Sequence, residues 1–194
     1  MPTPRRMTRE DRRASLLDAA AALVDEAGAG ALTFEAMATA AGVATSLPYA
    51  YFSSRDEVLV TLFDLVIGGL DEQVEAALER DDDFETVVRR SLEVWFDAAR
   101  DHGRLVGALL DAGAVPGLAA AVRRRDQGSH DLWRDLVASR FSLGDREAHV
   151  LAAMLNRTAT ATVELWLTHR GSRHDLVDAF VAMAVGAAAG LASR

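Results

Sequence analysis

The sequence predicts an all-α chain, and three observations lead there. Apolar residues recur at helical spacing in one segment after another, and no alternating run argues for a strand. Hydrophobic residues make up 50% of the 194 positions and aromatics only 6%, with Ala and Leu dominant, a balance that favours helix over sheet. The four prolines leave long stretches free of helix breakers.

The first helix runs from about Thr8 to Ala27 and carries Leu16, Leu17, Ala20, Leu23, Val24 and Ala27 on one face. That is the i, i+3/i+4, i+7 rhythm of a half-buried helix. Gly28-Ala29-Gly30 ends it. Thr33 stands where an N-cap belongs, and Phe34, Met37, Ala38 and Ala41 form the apolar side of a short helix that Gly42 closes. A second short helix covers roughly Thr45 to Tyr51. Ser54-Arg55-Asp56-Glu57 reads as a capping box opening a long helix to about Arg80, with Leu59, Leu62, Phe63, Val66, Leu70 and Val74 facing inward. Asp81-Asp82-Asp83 reads as a solvated turn. Further helices are expected over about Phe84–Asp101, ended by His102-Gly103, and over Arg104–Ala112. Gly113 and Pro116 precede another, to about Arg140. The last two span Asp145–His169, capped by Asp145, and Arg173–Ala192.

Composition narrows the chemistry. Cysteine is absent, which excludes disulfides and thiolate metal sites. The formal net charge of −8 is unevenly spread. Residues 1–55 hold six Arg and six acidic residues, whereas residues 56–194 hold 15 Arg and 23 acidic residues. Arg5, Arg6, Arg9, Arg12 and Arg13 crowd the beginning, so affinity for phosphate is expected at one end only. No apolar leader accompanies these arginines. The longest uncharged apolar run, Ala179–Ala192, has 14 residues, against about 20 for a membrane span. A cytoplasmic protein without a membrane partner is expected. The five histidines never share one helix at i, i+4 spacing. No G-x-S-x-G elbow or phosphate-binding glycine loop occurs. Neither catalysis nor a metal or other cofactor is therefore expected.

Two short helices joined by a tight glycine turn over residues 33–51 have helix-turn-helix spacing. A helix about 10–12 Å across fits the major groove, about 12 Å wide, and its first turn reaches base edges. Residues 33–59 read TFEAMATAAGVATSLPYAYFSSRDEVL. This segment resembles the N-terminal signature of the TetR family of bacterial regulators. The matching features are Thr33, Ala38, Ala41-Gly42-Val43, Tyr49, Tyr51-Phe52, Ser54, and Arg55 before an acidic pair and Leu59. The likeness is dense over about residues 9–60. It implies a helix-turn-helix DNA-binding domain over residues 1–55 and a helical effector-binding and dimerisation domain over residues 56–194.

Roles follow from the resemblance. Thr33 would touch the DNA backbone, and Thr45, Ser46 and Leu47 would lie in the groove-facing turn. Tyr49 and Tyr51 would add backbone or base contacts, although both residues also suit plain packing. Arg55 would bind phosphate, and Phe52 would be core. Ala44, Pro48 and Ala50 depart from the family pattern and leave direct readout to few polar groups, so the N-terminal arginines gain weight, reaching a neighbouring minor groove.

In the second part the resemblance places an effector cavity near Trp95, Phe96, His102, Trp133, Phe141, Met154 and Trp166. The same spacing also serves an ordinary core. The last two helices, rich in Ala, Gly and Thr, would pair with their copies in a homodimer, with Leu151, Leu155, Thr158, Thr162, Phe180, Val181 and Ala184 along their faces. The function so implied is regulation of transcription, as a repressor that a small-molecule effector releases from a palindromic operator in double-stranded DNA. An enzyme and a helical ligand carrier without DNA binding are the alternatives.

Overall fold

A computed structural model describes residues 7–78, 82–111, 115–168 and 171–193. Seven α-helices are present among them: α1 (Arg9–Ala27), α2 (Phe34–Ala40), α3 (Arg55–Leu78), α4 (Phe84–Asp111), α5 (Pro116–Phe141), α6 (Asp145–Leu167) and α7 (Arg173–Ala192). No strand occurs among the described residues. The all-α expectation holds. Arg5, Arg6, Arg80, Asp81, Ala112, Gly113 and His169, which entered the reading of the sequence, lie outside the described residues.

The chain forms two compact units. One comprises Met1–Val66 with Arg104–Ala121, the other Ile67–Gly103 with Val122–Arg194. In the first, Leu16, Leu17, Ala20 and Val24 of α1 are buried, as are Phe34, Met37 and Ala38 of α2, together with Phe52, Val58, Leu59, Leu62 and Phe63. These are four of the six positions that the periodicity of α1 marked out; Leu23 is half-buried, and Ala27, at the end of the helix, is exposed.

Side-chain caps set several helix starts. Thr8 Oγ1 accepts from the Asp11 amide at 3.0 Å while Asp11 returns the bond to the Thr8 amide at 3.1 Å, a capping box at α1. Ser172 Oγ accepts from the Asp175 amide at 3.1 Å at α7. At α6 the cap is Gly144, not Asp145, which is already helical. Gly144 has no side chain to offer, so the stabilising bond comes from Glu147, whose carboxylate accepts from the Gly144 amide at 3.2 Å.

Two segments carry contacts that spacing along the chain does not predict. The solvated acidic turn is tied down: Asp83 Oδ1 accepts from the Thr86 amide at 2.7 Å and caps α4, and Asp82 pairs with Arg90. The two helices expected on either side of His102-Gly103 are both present as the two arms of α4, which is kinked by non-helical backbone at His102 (φ −140°, ψ 27°). Such a break leaves the next amides without acceptors four residues back. Asp25 of α1 supplies one, taking the Leu105 N–H at 2.9 Å, and also lies 3.5 Å from Arg104 Nη2.

The second unit is built around Val87, Val88, Leu92 and Phe96 of α4, Trp133 and Val137 of α5, Leu151 and Leu155 of α6, and Phe180, Val181 and Ala184 of α7. Ion pairs cross its surface from Arg89 to Asp178 at 2.7 Å and from Arg173 to Asp97 at 2.6 Å. His130 Nε2 and His149 Nδ1 meet at 2.9 Å across α5 and α6, a contact that spacing along one helix could not reveal. No group of three metal-ligating side chains occurs among the described residues.

Leu151, Leu155, Thr162, Phe180, Val181 and Ala184, read as dimer-face residues, are buried within the chain. A neighbouring stripe is exposed instead: Val150, Met154, Ala161 and Leu165 on α6, and Ala179, Ala182, Met183, Gly186 and Ala189 on α7. By length and composition α7 is apolar enough to cross a membrane, which the 14-residue run had not suggested. Counting from Arg173 adds Val177 and Leu176 ahead of that run.

Candidate nucleic-acid interface

The corner of the first unit is shaped by Thr33 and Gly42. Thr33, in extended conformation, accepts from the Ala36 amide at 3.0 Å and starts α2. Its hydroxyl hydrogen is left to donate outward. Gly42 takes φ +64°, the left-handed region that costs glycine little. The Gly42 amide donates to Thr39 O at 3.1 Å and the Val43 amide to Ala38 O at 3.0 Å, the paired bonds of a Schellman ending.

The segment after this corner is shorter than the α-helix expected over Thr45–Tyr51. Residues 45–47 form a turn, and only Pro48–Ala50 is helical, as a 3-10 turn. The cause is Pro48. It lacks an amide, and its ring disfavours an α turn toward the carbonyl four residues back. The chain uses three-residue bonds instead: Leu47 N–H to Ala44 O at 2.9 Å, and Ala50 N–H to Leu47 O at 3.0 Å. Pro48 itself is buried.

Thr33, Thr45, Ser46 and Tyr49 are exposed, and Leu47 is half-buried. These residues lie on the corner and the segment that follows it. Tyr51 is half-buried, with the Arg9 guanidinium 5.7 Å from its ring centroid. Phe52 is buried, and Arg13 lies 5.0 Å over its ring. That placement agrees with a core role for Phe52.

At the start of α3 the capping box is modified. Ser54 Oγ accepts from the Glu57 amide at 3.1 Å, but the Glu57 carboxylate bonds to Ser53, taking its amide at 2.7 Å and its hydroxyl at 2.6 Å. Those bonds, first from the hydroxyl and then from the amide, hold the Glu57 carboxyl below its ordinary value. Arg55 is half-buried, and its Nη2 donates to the Ala29 carbonyl at 2.5 Å. Its Nε is buried without a partner among the described residues. The guanidinium expected on a phosphate is thus already engaged inside the unit.

Sequence reasoning missed Glu35. Its Oε1 accepts from the Tyr49 hydroxyl at 3.2 Å. Tyr49 also stands edge-on to Phe34, with ring centroids 4.7 Å apart and planes at 83°. The Glu35 carboxylate, first by its charge and then by this hydrogen bond, pushes the Tyr49 phenol above its ordinary value. The signal available was the juxtaposition of an acid in the first turn of α2 with a tyrosine 14 positions later. Nothing in the spacing pairs them.

Five of the seven residues expected around an effector share one core, and His102 and Met154 lie outside it. Phe96 and Trp133 are buried in the core of the second unit, and Trp95, Phe141 and Trp166 pack half-buried against it. Phe96 and Trp166 meet at 5.1 Å between centroids. His102 is exposed at the break in α4. Met154 is 54% exposed, because its position on α6 turns it to the face of Val150 and Leu165. Arg125 was not foreseen. Its side chain is only 18% exposed; it grips Asp71 at 3.2 Å and lies 4.7 Å over the Trp95 ring.

A helical corner closed at Gly42, followed by a turn that presents short polar side chains, has the layout of a helix-turn-helix. The matching stretch of known proteins is the same part of the chain: residues 16–62 fit the family model described as bacterial regulatory proteins, tetR family. Over those residues the chain is similar to the TetR family of bacterial regulatory proteins.

Among its relatives, the HTH-type transcriptional activator FasR of Mycolicibacterium smegmatis is 25% identical over 166 residues, covering 84% of this chain and 76% of that protein. The HTH-type transcriptional regulator EthR of Mycobacterium tuberculosis is 29% identical over 107 residues, covering 53% of this chain and 50% of that one. The fold is shared with a TetR-like regulator from Rhodococcus sp. RHA1, at TM-score 0.80 and 19% identity over 95% of this chain and 100% of that one. It is also shared with the fatty acid degradation regulator FadR from Bacillus halodurans, at TM-score 0.72 and 19% identity over 93% and 96%.

Proposed function

We propose that this regulator is a cytoplasmic homodimeric repressor, neither an enzyme nor a membrane protein and in need of no cofactor, that leaves a palindromic operator when a small molecule binds its second part. The observation that carries the DNA half is the corner at Gly42 with Thr33, Thr45, Ser46 and Tyr49 exposed around it. Residues 1–55 serve as the DNA-binding domain and residues 56–194 as the effector and dimerisation domain.

The homodimer is supported by the exposed apolar stripe of α6 and α7, whose Ala and Gly positions allow close helix approach. A second copy covers this stripe, as in regulators of this family. Two recognition segments about 34 Å apart then read successive major grooves of a palindrome. For the effector, the support is the aromatic interior around Phe96, Trp133 and Trp166, with the sheltered cation Arg125 beside Trp95. An apolar small molecule suits that lining. The helix α3, unbroken over 24 residues and about 36 Å long at 1.5 Å per residue, carries the coupling. Such coupling is reciprocal, so operator DNA weakens the effector by the factor by which the effector weakens DNA.

The test is a gel-shift and anisotropy titration with duplexes from the DNA flanking its own gene, against an unrelated duplex. Saturable binding of two chains, tighter than to the unrelated duplex, is expected. Equal affinity for both would overturn the reading. An activator is the second reading, favoured because the relative FasR is named as one. A promoter reporter with and without the protein separates the two by sign.

A further inference from the structure

The exposed surface of the helix-turn-helix carries one residue type that suits no phosphate. Glu35 lies exposed in the first turn of α2, and among the described residues no cation lies within ion-pair distance of its carboxylate. Its partner is Tyr49, which is 61% exposed on the segment after the corner. The tyrosine is held at both ends: its ring stands against buried Phe34 and its hydroxyl against Glu35.

Hydrogen-bond inventory then fixes what this pair offers a ligand. An ionised carboxylate only accepts, so the single hydroxyl hydrogen of Tyr49 is given to Glu35. What remains on the phenol oxygen is lone pairs, and what remains on Glu35 is lone pairs and negative charge. Two acceptors side by side make no bond to a phosphate oxygen, which also only accepts. In the major groove, guanine N7 and O6, adenine N7 and thymine O4 are acceptors too, and only the exocyclic amines of cytosine and adenine donate. The adenine amine stands between two acceptors, its own N7 and thymine O4. The cytosine amine has an acceptor on one side and a C–H on the other.

We propose that Glu35 and Tyr49 act as one acceptor unit that selects cytosine, through its exocyclic amine, at one major-groove position of each half-site. Glu35 sets the specificity and aims the Tyr49 hydroxyl. This rests on the DNA-binding reading above, and the experiment separates the two.

The full-length protein and its Glu35→Ala, Glu35→Gln and Tyr49→Phe variants select from a randomised duplex library, and winners are titrated at several salt concentrations. Both side chains are exposed, so the variants keep the fold, checked by circular dichroism. The parent protein is expected to enrich cytosine at one position per half-site. Glu35→Ala and Tyr49→Phe should lose about tenfold discrimination or more at that position, the scale of one specific base contact, with the salt slope unchanged. Glu35→Gln should move selection toward adenine, which a carboxamide reads through N6 and N7 together.

Three outcomes overturn the proposal. One is an unaltered base profile in the alanine and phenylalanine variants. Another is a uniform loss with a shallower salt slope in Tyr49→Phe, which would make Tyr49 a phosphate contact. The third is enrichment of sequences without cytosine at the affected position. A parent protein that enriches no sequence overturns the DNA-binding reading as well.

Discussion

The Arg55 side chain donates to the Ala29 carbonyl at 2.5 Å, joining the first turn of α3 to the connection after α1 across 26 positions of sequence. Removing a charged donor from a sheltered carbonyl costs about 1.5–3 kcal/mol. Arg55→Ala should therefore lower the melting temperature. It should weaken DNA binding on all duplexes alike, with a salt slope that falls by less than the value of one phosphate contact. A slope reduced by a full contact with unchanged melting would assign Arg55 to the DNA and not to the fold.

Phe52 is 2% exposed, and its ring carries Arg13 on one face. Truncation to alanine removes a buried aromatic from a small core, at a cost of about 3–5 kcal/mol. Phe52→Ala should melt earlier and lose DNA binding in proportion to the unfolded fraction. Normal melting with binding abolished would make Phe52 a contact residue.

Tyr49 and Tyr51 are the two tyrosines of the chain. In a Tyr51→Phe background, ultraviolet absorbance titration follows Tyr49 alone. The negative Glu35 carboxylate disfavours a second negative charge, so the phenol ionises above its ordinary 10.0. Between the unfolded and folded values the native state holds the extra proton, and the associated stability fades as pH rises through the folded value. Glu35→Gln should bring the titration back down. A midpoint that does not move would show that the pair is not formed in solution.

Met154 stands exposed beside Val150 and Leu165 on α6. If a second copy covers this stripe, Met154→Arg buries an unpaired charge in the interface, worth about 3 kcal/mol or more. Sedimentation should then show dimer dissociation on the order of a hundredfold easier, at 1.4 kcal/mol per tenfold. An unchanged dimer would place the interface elsewhere.

Two helix starts were legible in the sequence from a nearby cap. Thr33 and Ser54 each accept from an amide three residues on, so the information is local. The face that α1 buries was legible for the same reason. Contacts between elements were not. Glu35 meets Tyr49 across 14 positions, His130 meets His149 across 19, and Arg125 meets Asp71 across 54, and no periodicity records such pairings. The small residues of α6 and α7 fit a buried and an exposed face equally well. A shift of one position, about 100° around a helix, separates buried Leu155 from exposed Met154. Pro48 was tolerable in principle at a helix start, but only the surrounding chain decides between an α turn and a 3-10 turn there.

The bond from Asp25 to the Leu105 amide makes that amide an internal clock. Helix starts ordinarily exchange their amide hydrogens quickly, because no carbonyl four residues back protects them. Leu105 restarts the helical run after the break at His102, yet its hydrogen is held by a carboxylate 80 positions earlier in the chain. Its exchange rate is then governed by whether α1 stays in place, not by fraying of α4. Deuterium uptake at this one amide reports the opening of α1, on which the corner that α2 begins is packed.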